Sequence, residues 1–573
     1  MNQLTIARNL VHSYREVPDQ TAITLLFSQE PEQPITYRAL IQGAAGYARA
    51  LDEHGVQPGE VVVLILEHGA PLIEAFFGAI LQGTIPSMMP FLTEKLSPEH
   101  YRASIKSLLE ITSPGAVITF KDFNDEVQQI CRETVSIRAV LSGESIDPII
   151  DPDLGQLPGL GRSSQEIVLL QHSSGTTGLQ KGVALAHQAI FNQIETYSHA
   201  LQLNDRDVIV SWLPLYHDMG LIAGFILPIL KRIPLVLMSP FDWVRAPYKL
   251  LQAVSRYRGS LSWLPNFAYN FCAQKIRERE LEGVDLSSWR ALINCSEPVH
   301  WSSQHMFLER FQPYGLRPGA LSTCYAMAEN VFAVSQSQIE SRPKIDPVDR
   351  AALLERQIAE PADPESPGTV RLLSSGKPLA NTRLQILDKN KQSLPERSIG
   401  EIAIQSDCML TGYYHRPDLT QAAFWDGWYL TGDLGYLAGG ELYVTGRKKD
   451  LIIVGGKNIY PQDVERLAGE VPGIHPGRVV AFGIYNQRAG TEDVAIIAEI
   501  DRDETHPVSS VKQADPARIA LEIHQKVNRG SDIVVRYVEI VERNWLLKTS
   551  SGKIARLANR DKFLSVFGKK LGL

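Results

Sequence analysis

Apolar residues recur along this chain in two rhythms. Val61 to Leu66, Ile85 to Met89, Ala116 to Thr119 and Ile137 to Leu141 are short apolar runs with the length of buried strands. Pro71 to Leu81, between the first two, has the length of a helix. Strand, helix, strand in this order predicts a parallel sheet covered by helices, because parallel neighbours need a crossover connection. Further strand candidates at Val208 to Trp212, Leu235 to Met238, Ser260 to Trp263, Leu292 to Cys295 and Leu321 to Cys324 extend the scheme. From Arg383 the rhythm changes to period two: RLQILDKNKQSLPERSIGEIAIQS reads as two alternating strands around a polar turn, a β-hairpin subdomain. The most apolar stretch, Met219 to Leu230, is stopped by Lys231 and Arg232 well short of a bilayer span. It reads as a buried helix, with the wall of an apolar pocket as the sharper alternative.

One polar interruption stands out: VLLQHSSGTTGLQKGVALAH, from Val168 to His187. The run Ile167 to Leu170 predicts a strand, and Val183, Leu185, Ala186, Ile190 and Ile194 predict a helix beginning after Gly182. Between them Gly175 and Gly178 let the backbone approach a ligand closely. Ser173, Ser174, Thr176 and Thr177 offer hydroxyls, and Lys181 supplies a compact cation. That inventory suits a polyphosphate held by backbone N–H groups, although a plain polar surface turn has the same composition. It is not a Walker A loop, because Lys181 is followed by Gly182 rather than Ser or Thr.

The length of 573 residues predicts two or more domains. A net charge of −7 with 44% hydrophobic residues describes a globular protein without the basic excess of a nucleic-acid binder. The five cysteines, at 131, 272, 295, 324 and 408, form no metal spacing and no paired framework, which fits a reducing cytoplasm. The N-terminus carries charges throughout and lacks a signal-peptide core, and no transmembrane segment is expected. The Pro- and charge-rich stretch Ser341 to Gly368, with one helical run around Ala351 to Ile358, reads as an insertion. A break at Arg447 to Asp450 precedes a compact βαβ-like tail. From Lys548 onward seven basic residues face one acidic residue, which reads as a solvated helix face.

The polar loop gains meaning from its companions: SWLPLYHDMGL at 211–221, TCYAMAEN at 323–330, YLTGDLGYL at 429–437, GRKKDLIIVGGKNIYPQDVE at 446–465 and KTSSGKIAR at 548–556. In this order they resemble the adenylate-forming superfamily, which includes acyl-CoA synthetases, adenylation domains of peptide synthetases and luciferases. The resemblance implies an α/β fold: a large N-terminal domain of parallel-type sheets plus a β subdomain, then a small mobile α+β C-terminal domain. It places an adenylation domain at 1–446, with a subfamily insertion at about 337–367 and a β-rich subdomain at about 370–446. A hinge then follows at 447–451, and a lid domain at 452–573 carries the catalytic lysine.

It also implies ATP and Mg²⁺ as cofactors and assigns roles by position. Lys553 would bridge the substrate carboxylate and the α-phosphate, and Glu329 would hold Mg²⁺. Asp433 and Arg447 would contact the ribose; Ser296, Glu297 and Pro298 with Tyr325, Ala326 and Met327 would surround the adenine, Tyr325 stacking on it. His217 occupies the place of an aromatic gate between the ATP and acyl sites, and Lys449 that of the hinge residue. Trp212, Met219, Phe225, Trp263 and Phe267 are candidates for an acyl tunnel, with plain core as the alternative for each.

Within the superfamily, SWLPNFAYNFC at 262–272, PLYHDMGLIAGF at 214–225, YPQDVE at 460–465 and the insertion resemble fatty acyl-AMP ligases. These are ligases that activate a medium- or long-chain fatty acid and pass it to the phosphopantetheine of an acyl carrier protein in polyketide or nonribosomal peptide pathways. No carrier site is visible, so the holo carrier is expected on a separate chain. Departures are Cys295 and Ser296, where these ligases tend to have Gly-Ala, and Ala326, where Gly is commoner. A fatty acyl-CoA synthetase using free CoA is the alternative. A non-catalytic nucleotide-binding subunit is more distant, because Lys181, Glu329, Asp433 and Lys553 are all present.

Overall fold

The computed structural model describes residues 4–28, 30–92, 98–132, 134–173, 181–454, 457–486, 491–501, 515–531, 534–549 and 553–571. Two mixed sheets form its larger part. One runs Gly412–Tyr413, Lys181–Ala186, Ile167–Ser173, Ile85–Met88, Val61–Ile65, Ala116–Thr119, Ala139–Ser142. The other runs Lys377–Pro378, Ala333–Gln336, Leu321–Ala326, Ala291–Asn294, Leu261–Leu264, Ile209–Ser211, Leu235–Met238, Thr21–Leu26, Gln33–Thr36. From Leu321–Ala326 to Thr21–Leu26 the neighbours of the second sheet are all parallel. Fully buried strands such as VVVLI at 61–65 have no polar face because helices cover both sides.

The alternating stretch after Arg383 is the antiparallel pair Thr382–Leu387 and Gly400–Ser406, extended by Trp428–Ala438 and Glu441–Arg447. Past Asp450 the chain builds a separate core around Val464, Ile496 and Ile523. There Thr491–Ile500, the helix Pro516–Ser531 and the parallel strand Val535–Val541 make a crossover unit. Met219 to Leu230 is helical and buried as expected, although Met219–Ile226 is wound as a π-helix.

One expectation is corrected. Lys181–Ala186 is a strand paired antiparallel to Ile167–Ser173, and the helix begins only at His187. Five apolar positions fit both periods, and pairing with a neighbouring strand decided between them.

The stretch read as an insertion is built into the fold. Its strand Ile345–Asp349 pairs with Thr369–Leu373. Val348, Leu353 and Ala359 are buried with Ile399, Tyr436, Tyr443 and Tyr460, so they touch the β subdomain and the chain beyond Asp450 together. No helix among the described residues is long and apolar enough to cross a membrane.

Candidate active site

Sheet register makes the first half of the site. Asp433 and Arg447 face each other across the hairpin Trp428–Ala438 and Glu441–Arg447, with Arg447 Nε 3.2 Å from Asp433 Oδ1. Tyr325, near the end of the strand Leu321–Ala326, donates its hydroxyl to Asp433 Oδ2 at 2.6 Å. Burial and then the Asp433 charge push the Tyr325 pKa well up, which keeps that hydroxyl a donor. Both oxygens of Asp433 are therefore engaged, one by Tyr325 and one by Arg447. Ser296 sits in the left-handed region at φ 68°, uncommon for a residue with a side chain. Glu297 Oε2 accepts the Phe267 N–H at 3.1 Å, Pro298 follows on the same loop, and Met327 N–H donates to Phe332 O at 2.8 Å beyond the half-buried Ala326.

Tyr413 joins the second half. The Lys181 ammonium lies 4.7 Å from its ring centroid, a cation–π distance, and its hydroxyl donates to Glu329 Oε1 at 2.9 Å. Tyr429 shares that hydroxyl at 2.9 Å. Glu329 leads into a tight turn in which Phe332 N–H bonds Asn330 O at 2.6 Å and Val331 takes φ 60°, ψ −55°. A β-branched residue in that conformation stores on the order of 1–3 kcal/mol of strain. Ser173 ends the strand Ile167–Ser173; Ser174, Gly175, Thr176, Thr177 and Gly178 lie outside the described residues.

Lys553, in the C-terminal part, is half-buried. Burial lowers its pKa, and it feels the charges of Asp218, Glu297 and Arg447. Asp218 Oδ1 lies 2.6 Å from His217 Nδ1 and accepts the Met219 N–H at 2.8 Å. The helix starting at Met219 packs close beneath: a Cβ at Gly220 would lie 2.2 Å from the Pro214 carbonyl oxygen. Lys449 is held below the ordinary lysine range, by burial and then by Arg447, with Lys181 also close enough to contribute.

Four of the acyl candidates, Trp212, Met219, Phe225 and Trp263, are buried. Trp212 stacks on Trp243 at 3.6 Å with Phe267 edge-on at 6.4 Å, and Phe267 is 42% exposed. Met219 Sδ lies 3.0 Å from Cys295 Sγ, next to Asp218. Phe225 packs on Phe76 and Phe77, and Trp263 Nε1 donates to Tyr197 at 2.8 Å; both lie in the same buried cluster as Trp212 and Met219.

Asp218, Tyr413 and Tyr429 were not singled out from the sequence. Asp218 and Tyr429 lay inside motifs already quoted. Tyr413 carried no signal, since only its strand's pairing with Lys181–Ala186 brings it to the lysine.

The model of the AMP-binding enzyme family matches residues 10–414. A medium-chain-fatty-acid–[acyl-carrier-protein] ligase, JamA of Moorena producens, is 29% identical over 92% of this chain and 90% of its own. The long-chain-fatty-acid–AMP ligase FadD26 of Mycobacterium bovis is 28% identical over 97% of this chain and 96% of its own. A solved chain from structural work on fatty acyl-adenylate ligases of E. coli and L. pneumophila superposes with a TM-score of 0.86 at 27% identity, covering 99% of this chain and 98% of that one.

Proposed function

This chain belongs to the AMP-binding enzyme family, and on that premise we propose that it activates a medium- or long-chain fatty acid with ATP, giving acyl-AMP and pyrophosphate. The acyl group then passes to the phosphopantetheine thiol of a separate acyl carrier protein serving a polyketide or nonribosomal peptide pathway. The observation that carries the reading is the Asp433 carboxylate shared by Tyr325 and Arg447, together with the Lys181–Tyr413–Glu329 group, with the half-buried Lys553 within reach of the Arg447 charge.

In the first step a carboxylate oxygen attacks the α-phosphorus and the bond to pyrophosphate breaks. Two anions meet, and at 4 Å they repel by about 1 kcal/mol even in water, more where water is excluded. Lys553, inserted where the carboxylate and α-phosphate meet, offsets that repulsion as charge shifts. Asp433 orients the ribose with Arg447 beside it. Lys181 and the loop before it hold the leaving phosphates, and His217 borders the acyl side. Glu329, which accepts the Tyr413 hydroxyl, is a hard oxygen donor, the type of ligand Mg²⁺ takes together with phosphate oxygens. Mg²⁺ bound there would neutralise charge on the leaving pyrophosphate.

A carrier rather than free CoA as acceptor is supported by the name of one relative, JamA, and by the insertion. Leu353 packs in one cluster with Tyr460, and Arg350 places its charge near Asp463 of the helix Pro461–Gly469. An element gripping the C-terminal part restricts how that part turns after adenylation, with Lys449 as the hinge.

The test is mass spectrometry of products from ATP, Mg²⁺ and a ladder of fatty acids, with CoA and a phosphopantetheinylated carrier offered in parallel. Acyl-AMP that persists with CoA and is consumed by the carrier is expected. Prompt acyl-CoA would make the chain a CoA synthetase, and no adenylate with any acid would overturn the reading.

A further inference from the structure

We propose that Arg556 is a positioning residue for adenylate formation: its guanidinium fastens Asp450, the residue after the hinge Lys449, to the core that carries Lys553, so that the lysine turns with the hinge as one body. This rests on the fatty-acid-activating reading above, in which the C-terminal part turns at Lys449. The three guanidinium nitrogens have three separate acceptors. Nη1 donates to Asp450 Oδ2 at 2.7 Å, Nη2 to Glu465 Oε1 at 2.7 Å and Nε to the Ala481 carbonyl at 2.9 Å. Glu465 Oε1 also takes the Ala481 N–H at 2.9 Å, which closes the group on the helix Pro461–Gly469 and the strand Ile474–Asn486. Burial works against the Arg556 charge, but Glu465 and Asp450 outweigh it.

Arg556 stands three residues after Lys553 and opens the helix Arg556–Leu571. The backbone around the lysine is tied down as well. Thr549 N–H donates to Lys553 O at 2.7 Å and Ala555 N–H to Leu547 O at 3.0 Å, while the buried Asn559 bonds both backbone groups of Leu547 at 2.8 Å. A short, fixed path therefore runs from Lys553 to Arg556 and on to Asp450. On the other side of the hinge the ties run to the larger part. Arg447 Nε lies 3.2 Å from Asp433, and Lys448 Nζ lies 3.0 Å from Glu401, a carboxylate that Lys391 also holds at 2.9 Å. Asp433 and Glu401 both sit on strands of the β subdomain. Lys449 is thus bracketed by side chains fixed to the larger part before it and to the C-terminal core after it, which confines the turn to the backbone around one residue.

The test is Asp450→Ala in the full-length protein, which cuts the tie at the hinge and leaves Arg556 on Glu465 and Ala481, so the C-terminal core keeps its brace. Fatty-acid-dependent ATP–pyrophosphate exchange is expected to fall on the order of 100-fold in kcat, the cost of a misplaced group at the reacting centre. The KM for ATP and for the acid should stay within about threefold, because no contact with either is removed. Transfer from supplied acyl-AMP to the carrier, which does not need Lys553 in place, should be retained. Arg556→Met should show the same split, and the double variant should be no worse than the worse single one, since both break one tie. Asp450→Glu, which keeps the carboxylate, restores part of the rate.

Unchanged exchange, an equal loss in both half-reactions with a lower Tm, or additive losses in the double variant would each overturn the proposal. A second readout needs no turnover. Spin labels at Val244→Cys and Leu521→Cys, exposed positions on the larger and the C-terminal part, report the distance between the two parts by pulsed electron resonance, while the five native cysteines are buried and stay unlabelled. With ATP and Mg²⁺ but no acid, the distance distribution is narrow in the otherwise wild-type protein and broad in Asp450→Ala if the proposal holds. Distributions of equal width would defeat it, so the answer is separate from whether any acid is adenylated.

Discussion

Single residues at this site serve two charges at once. The Tyr413 ring faces the Lys181 cation while its hydroxyl donates to Glu329. Asp433 divides its oxygens between Tyr325 and Arg447. Lys553 is the residue whose loss is sharpest: in Lys553→Ala, acid-dependent pyrophosphate exchange should fall by about 10²–10³-fold or more. The ATP affinity, measured by calorimetry, should change little, and pyrophosphate release at the wild-type rate would sink the assignment. Because burial lowers the Lys553 pKa, its charge is present at low pH and is lost, as pH rises, earlier than for an ordinary lysine. The wild-type alkaline limb should therefore lie below the usual lysine range. The identity of Lys553 was legible in SSGKIAR, where residue types at short spacing carry the signal. Asp218 was present in PLYHDMGL, but its engagement by both His217 and the Met219 N–H was not legible, because side-chain direction depends on how the chain packs.

Elements are pinned by a few buried polar contacts. Arg290, just before the strand Ala291–Asn294, holds Asp207 with Nε and Nη2, each at 2.7 Å, and bonds the carbonyls of Leu201 and Gln202. Asp207 also accepts from Ser260 Oγ at 2.7 Å, so the starts of neighbouring strands in the larger sheet share one carboxylate. Arg290→Met leaves that carboxylate, 3% exposed, without its countercharge. The expected loss is about 3–5 kcal/mol in urea denaturation. Burial raises the Asp207 pKa, but Arg290, Ser260 and the Asn204 N–H together hold it below the ordinary range. Its contribution is thus complete above the unfolded value of about 3.9 and disappears as pH falls through the lower folded value. At this scale the buried strands and the helix Ala70–Leu81 were legible from apolar runs. The strand Lys181–Ala186 was not, because so short a run fits either period until a partner strand is present.

In the whole molecule, the chain beyond Asp450 has its own core yet shares the cluster of Val348, Leu353 and Tyr436 through Tyr460. That shared cluster gives an acceptor prediction. Leu353→Ala with Leu354→Ala trims the packing without deleting paired strands, and should raise the ratio of acyl-CoA to acyl-carrier product on the order of tenfold. Product mass spectrometry with both acceptors measures it, and an unchanged ratio removes the insertion from acceptor choice. The sequence by itself determined the α/β alternation, the change to a β subdomain near Arg383 and the residue types of the site. Apolar periodicity and motif spacing are local properties, and both survive without a fold. Only the tertiary structure decided that Tyr413 reaches both Lys181 and Glu329, that Phe225 packs on Phe76 and Phe77, and that Asp218 takes His217 and the Met219 N–H. Those meetings depend on strand register and on how one part of the chain packs against the other, distances that no local pattern encodes.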